Sequence, residues 1–272
     1  MNKNILLGLA AAGCALLGAC EEKPIPIPEL NVGSRNVLVE ELTGVQCPNC
    51  PDGTAALVNL GNQIGENLIV VSIHAAPGYD KPYAESKYDF RTAKGSELAN
   101  FIGDASFFPA ASINRRLVPP ETEPYLPRQI WAGIINEDLG EAPPVGVFLE
   151  TSFNPVNRQL DVEVTLAPES NLNGEHRLTV LITQDSIQDY QKVNLEKIPD
   201  YYHRHVLRDI LTQSTGDVIA EPLTANAVIT KKYTMILPVN WDEKHCDVVA
   251  FIHHGTTPNK EVLQAAETHV LK

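Results

Sequence analysis

The chain has 272 residues, with 34 acidic and 21 basic side chains and a formal net charge of -13. That balance argues against nucleic acid or an anionic lipid surface as the main partner, because both need basic patches. A hydrophobic content of 43% supports a packed core, the length suits one large or two modest domains, and five cysteines are too few to scaffold the fold with disulfides.

The first element is an address. Ile5 to Ala19 is an unbroken run of apolar or small residues behind Lys3. A membrane-spanning helix needs roughly 20 apolar residues, so this run is short, but it suits the core of a secretory signal. Its end, Leu17-Gly18-Ala19-Cys20, resembles the bacterial lipobox. The resemblance implies a signal peptide over residues 1–19 and lipidation of Cys20, which tethers the mature protein to a membrane. Cys14 fits less well, because Ala11 stands where the lipobox usually has Leu. Residues 20–35, with Pro24, Pro26 and Pro28, read as a semi-rigid tether.

Residues 36–140 mix strand and helix signals. Val37 to Val39 is a short strand, and Leu68 to Ile73 is a central one, apolar on both faces. Between them the spacing of Ala55, Leu57, Val58 and Leu60 predicts a helix over about 47–62. Helical spacing returns at Leu98, Phe101 and Ile102, and again at Ile130, Trp131, Ile134 and Ile135 behind Pro127. This order is that of a small α/β domain.

Composition changes at Glu141-Ala142-Pro143-Pro144, the expected domain boundary. Beyond it the period becomes two: Leu160, Val162, Val164 and Leu166 alternate with polar residues, as do Leu178, Val180 and Ile182. Further strands are expected at 145–149, 228–237, 248–253 and 262–270, with one short helix at His205 to Leu211. Residues 141–272 therefore read as a β-sandwich, Ig-like in type.

The chemistry centres on Cys47-Pro48-Asn49-Cys50, which follows a strand and opens a helix. Unpaired N–H groups and the helix dipole stabilise thiolate there, so Cys47 is expected to be acidic and nucleophilic. The spacing lets Cys50 attack the mixed disulfide that Cys47 forms. A zinc half-site and a static disulfide are the competing readings of the same motif. Zinc needs four ligands, and the only other mature-chain cysteine apart from Cys20 is Cys246, far along the chain. No metal and no cofactor is expected.

Two residues add a resemblance to thioredoxin-like folds. Glu41 stands six positions before Cys47, where such folds often carry an acidic residue able to relay the proton of the resolving thiol. Glu40, pointing the other way along the strand, is expected to be solvated. Pro109 precedes the strand-like Ala110 to Ile113, where these folds place a cis-proline beside the cysteines. The catalytic set expected is Cys47, Cys50, Glu41 and Pro109.

Over nearly the whole mature chain the sequence resembles the outer membrane protein 28 family of thioredoxin-like bacterial lipoproteins. The carriers are Val39-Glu40-Glu41-Leu42-Thr43-Gly44, Cys47 to Pro51, Pro109, Asn114-Arg115, His205-Val206-Leu207-Arg208 and Cys246 to Phe251. The resemblance implies an outer-membrane lipoprotein with a thioredoxin-like domain and a β-rich domain. Two functions follow as expectations. One is thiol–disulfide exchange on exported proteins or peptides. The other is a non-enzymatic surface lipoprotein that binds a protein or glycan, with a structural Cys47–Cys50 disulfide.

Among the histidines, His74 ends a strand near the cysteine helix and is expected to be structural rather than to tune Cys47. His203, His205, His253 and His254 lack carboxylates at ligand spacing and read as ordinary polar residues. Cys246, at the start of an apolar strand, is expected to be a buried thiol.

Overall fold

Parallel pairing of two buried strands sets the architecture. In the computed structural model, which describes residues 33–255 and 259–271, the first strand is β1 (Val37–Thr43). Helix α1 (Cys50–Ile64) and β2 (Leu68–His74) follow. β1 and β2 pair in parallel, and every residue of both is buried. The residues assigned to the signal, to Cys20 and to most of the tether lie outside the described ones.

Helix α2 (Ala93–Ile102) starts at Thr92, whose side chain accepts the N–H of Gly95. Next come β3 (Ala110–Ile113), β4 (Tyr125–Pro127) and α3 (Trp131–Leu139). The chain continues through β5 (Val145–Asn154), β6 (Gln159–Pro168), β7 (His176–Gln184), β8 (Ile187–Val193) and β9 (Glu196–His203). It closes with β10 (Val206–Ile210), β11 (Asp217–Val218), β12 (Ile229–Ile236), β13 (Cys246–His254) and β14 (Val262–His269).

The main sheet runs β14-β13-β7-β10-β2-β1-β3-β4, with β11 beside β7. It crosses the boundary expected at 141–144. Strands from both sides of that segment share it, and β10 joins them by pairing with β2 on one side and β7 on the other. Residues 141–144 are thus the link from α3 to β5, and the two halves meet within one sheet. The fold is mixed α/β with strands predominating.

Strand alternation divides the core. On one face of β1 and β2, Val37, Val39, Leu68 and Val70 pack with Leu57 of α1 and with Trp131 and Ile135 of α3. On the other face, Leu38, Ile69 and Val71 pack with Leu98 and Ile102 of α2 and with Phe251. A second sheet, β12-β6-β5, lays Leu160, Val162 and Val164 against Val180, Ile182, Val248 and Ala250 of the main sheet.

Two expectations are corrected. Residues His205 to Leu211 form no helix, because Val206 and Leu207 are held in strand β10 by Thr183 and Gln184 of β7. Their apolar spacing suits either element, and sheet pairing decides. Glu40 is not solvated. It faces the α2 side, is fully buried and pairs with Arg115.

Candidate functional site

The cysteines sit on the turn between β1 and α1. Gly44 begins it, with the Tyr79 carbonyl only 2.4 Å from where a Cβ would stand. No other residue fits so close an approach. The Cys47 N–H donates to the Gly44 carbonyl at 3.0 Å, and Cys50 opens α1 with Pro51 behind it. The helix therefore starts three residues later than the sequence predicts, with Asn49 as its N-cap. Cys47 and Cys50 form a disulfide and are each 1% exposed.

Pro109 and Glu41 both converge on the first turns of α1. The Phe108–Pro109 peptide is cis and leads into β3, where Ala111 pairs with Glu41 across to β1. A Cβ on Gly53 would stand 2.6 Å from the Pro109 Cβ and 3.1 Å from a Glu41 carboxylate oxygen, so the missing side chain is what lets the three residues meet. Beside Pro109 an open groove of about 460 Å³ is lined by Asn49, Asp52, Phe107, Phe108 and Arg128.

Glu41 is fully buried. Thr54 Oγ1 donates to it at 3.0 Å and Ser72 Oγ at 2.9 Å. Burial raises its pKa to about 7, although both hydrogen bonds pull downward. Thr54 also lies 3.4 Å from the Cys50 carbonyl, which links the carboxylate to the cysteine turn. A small polar cavity adjoins, lined by Thr43, Thr54, Ser72, His74, Tyr201 and His203. Burial, and after it the neighbouring Glu41, pushes the Tyr201 phenol up to about 12. Burial likewise holds His203 down at about 4 and His74 well below the usual range. The buried Nδ1 of His74 has no hydrogen-bond partner among the described residues.

What covers the disulfide is marked in the sequence by little beyond Asn194. Hairpin β8–β9 lies over the turn, with the Lys192 N–H donating to Val45 O at 2.8 Å and the Asn194 N–H to Pro48 O at 2.9 Å. Gln191 Nε2 donates to the Cys47 carbonyl at 3.1 Å, and the Asp189 carboxylate accepts the N–H groups of Lys87 and Tyr88. The buried positions of β8 alternate as in any strand, but they include Asp189 and Gln191, so hydropathy does not reveal them. Asn194, with φ 52 between the two strands, is the one turn signal.

The remaining candidates stay outside this site. Cys246 is a buried thiol whose pKa burial pushes up to about 12. His253 is buried, with Nε2 3.2 Å from Thr179 Oγ1. Among the described residues no group of three or more His, Cys, Asp or Glu side chains is placed to hold a metal ion. Among them, too, no helix is long and apolar enough to cross a membrane.

A family model described as outer membrane protein Omp28 matches residues 98–270. The chain belongs to the Omp28 family. As an Omp28 protein it is an outer-membrane lipoprotein. The matched segment holds Pro109, the hairpin and Cys246 but begins after Cys47 and Cys50. No curated protein matches the chain. Its fold is similar to that of HBP35 of Porphyromonas gingivalis, with TM-score 0.68 and 19% identity over 88% of this chain and 76% of that one. A structural-genomics protein of Agrobacterium tumefaciens matches with TM-score 0.53 and 16% identity over 88% and 96%. A domain of the outer membrane lipoprotein Omp28 from Porphyromonas gingivalis covers 48% of this chain, and 90% of that domain is matched, with TM-score 0.33 and 16% identity.

Proposed function

We propose that this Omp28 protein, anchored through lipid on Cys20, exchanges disulfides with exported proteins at Cys47 and Cys50. In this reading residues 36–140 are thioredoxin-like and residues 141–272 supply an Ig-like β-sandwich layer. The observation that carries it is the meeting of Glu41, Pro109 and the Cys47–Cys50 turn at the start of α1.

In the reduced form the Cys47 thiolate attacks one sulfur of a substrate disulfide. A mixed disulfide forms and the other substrate sulfur leaves as thiolate. Cys50 then attacks the Cys47 sulfur, closing the protein disulfide and releasing the substrate as a dithiol. Cys50 must lose its proton for that step. Glu41 is suited to take it, because its pKa near neutrality lets it accept and return a proton. Run backwards, the same steps oxidise a substrate dithiol.

A second reading keeps the disulfide closed as a structural link in a lipoprotein that binds a protein or glycan. It is favoured by the 1% exposure of both cysteines. A Cys50→Ser variant of the mature protein separates the two. Exchange requires that it trap exported proteins through Cys47 in bonds that reductant breaks. Absence of trapped protein, together with a pair that glutathione buffers leave oxidised, supports the structural link.

A further inference from the structure

The exchange reading leaves a difficulty, because a disulfide covered by its own chain cannot meet a protein substrate. We propose that hairpin β8–β9 is a hinged cover that holds the backbone positions of an incoming extended polypeptide and must lift before exchange. The inference rests on the exchange reading and adds a gate to it.

Four observations support the gate. The hairpin is a two-stranded sheet of its own, joined to no strand of the main sheet. It touches the cysteine turn through its backbone, with alternate residues Lys192 and Asn194 donating to Val45 O and Pro48 O. A guest polypeptide at the same carbonyls would make the same bonds. Both ends of the hairpin bend at left-handed residues that are not glycine, Ser186 at φ 58 and His205 at φ 50. Asp185 pins them together, accepting the His205 N–H at 2.7 Å. The fourth observation is what lies underneath. The apolar cluster lies at the root, where Ile187 meets Val45, Phe90 and Val206, and beyond it Tyr190 meets Tyr83 edge-on. The underside presents Gln191, Tyr201 and, opposite Ile187 at the root, His203 to a polar cavity. Near the tip the ties are the Asn194 N–H bond to Pro48 O and the ion pair of Lys197 and Glu85, which is half-open to solvent. Lifting the outer part therefore breaks mostly polar ties and one edge-on aromatic pair and leaves the apolar root in place, the condition for local opening below the cost of global unfolding.

The test follows reduction of the Cys47–Cys50 disulfide in the mature protein by dithiothreitol, quenched with iodoacetamide. One reductant sulfur attacks Cys47 and displaces Cys50 as thiolate; the second closes the oxidised reductant and frees Cys47. Gln191→Ala removes the side-chain bonds to Gly44 O and Cys47 O. It is expected to speed reduction roughly tenfold, the factor set by one or two lost hydrogen bonds. An unchanged rate in a folded variant overturns the cover. Amide hydrogen exchange on the unmodified protein gives an arm that needs no variant. The Lys192 and Asn194 amides are expected to exchange at least tenfold faster than those of Val180 and Ile182 in β7. Equal protection overturns the proposal. Failure of the Cys50→Ser trap with fast reduction in Gln191→Ala counts against exchange and not against the cover.

Discussion

Arg115 grips Glu40 through two parallel hydrogen bonds, Nε to Oε2 at 2.8 Å and Nη2 to Oε1 at 2.7 Å, with neither side chain more than 1% exposed. The guanidinium also lies 4.8 Å from the Phe251 ring. One residue thus ties β1, near the candidate site, to β13 at the far side of the sheet. The neighbouring Glu41 points to the opposite face, toward α1. Two adjacent carboxylates have been given different surroundings by strand alternation alone.

Breaking this pair should be costly. Arg115→Met strands a buried carboxylate, and a loss of about 3–5 kcal/mol is expected in urea unfolding. Replacing both partners with Glu40→Leu and Arg115→Met should recover much of it, because no unpaired charge remains. Strict additivity of the two single losses would show that the contact is not what holds either residue.

Gly53→Ala tests the convergence at α1. In an exposed helix the change would stabilise by up to about 1 kcal/mol. Here the new methyl meets Pro109 at 2.6 Å. Overpacking of this kind costs about 1–3 kcal/mol, so a net loss of stability is expected. A gain would mean that α1 and Pro109 can move apart freely.

Much of the frame was legible in the sequence. Continuous apolar runs marked β1 and β2, and alternation marked β6 and β7, because burial on two faces or one leaves those patterns. Glu41 was read from its spacing to Cys47, and Pro109 from the strand-like segment that it precedes. The sheet shared across residues 141–144 was not, since pairing of β10 with β2 depends on partners more than 130 positions apart. Glu40 was misread for the same reason, because its partner Arg115 is remote in sequence. The cover escaped because its inward residues, Asp189 and Gln191, satisfy backbone groups of other loops and carry no apolar signature.

His203 should make the protein acid-sensitive. Burial holds its pKa near 4, against 6.5 unfolded. Between those values the unfolded chain binds a proton that the folded one refuses, so stability falls as pH drops from about 6.5 to 4. His203→Gln, a neutral side chain that can still donate to Tyr190 O, should be less sensitive over that window by an amount on the order of 3 kcal/mol. Parallel urea titrations of the two proteins at pH 7 and pH 4.5 measure the difference, and identical slopes would refute it.

Glu41 should act with the opposite sign. Its folded pKa is raised to about 7 from 4.5. Between these values the folded state keeps a proton that the unfolded state has released, so stability falls as pH rises from about 4.5 to 7. Above that the buried carboxylate carries its full penalty, on the order of 3 kcal/mol. Glu41→Gln keeps an acceptor for Thr54 and Ser72 but cannot ionise. The variant should therefore match the parent near pH 5 and exceed it in stability at pH 8. The same substitution removes the proton acceptor assigned to Cys50, so closure of the mixed disulfide should slow at pH 8 while attack by Cys47 does not. A variant more stable at high pH and slower only in the second step is the combination that a merely structural glutamate would not produce.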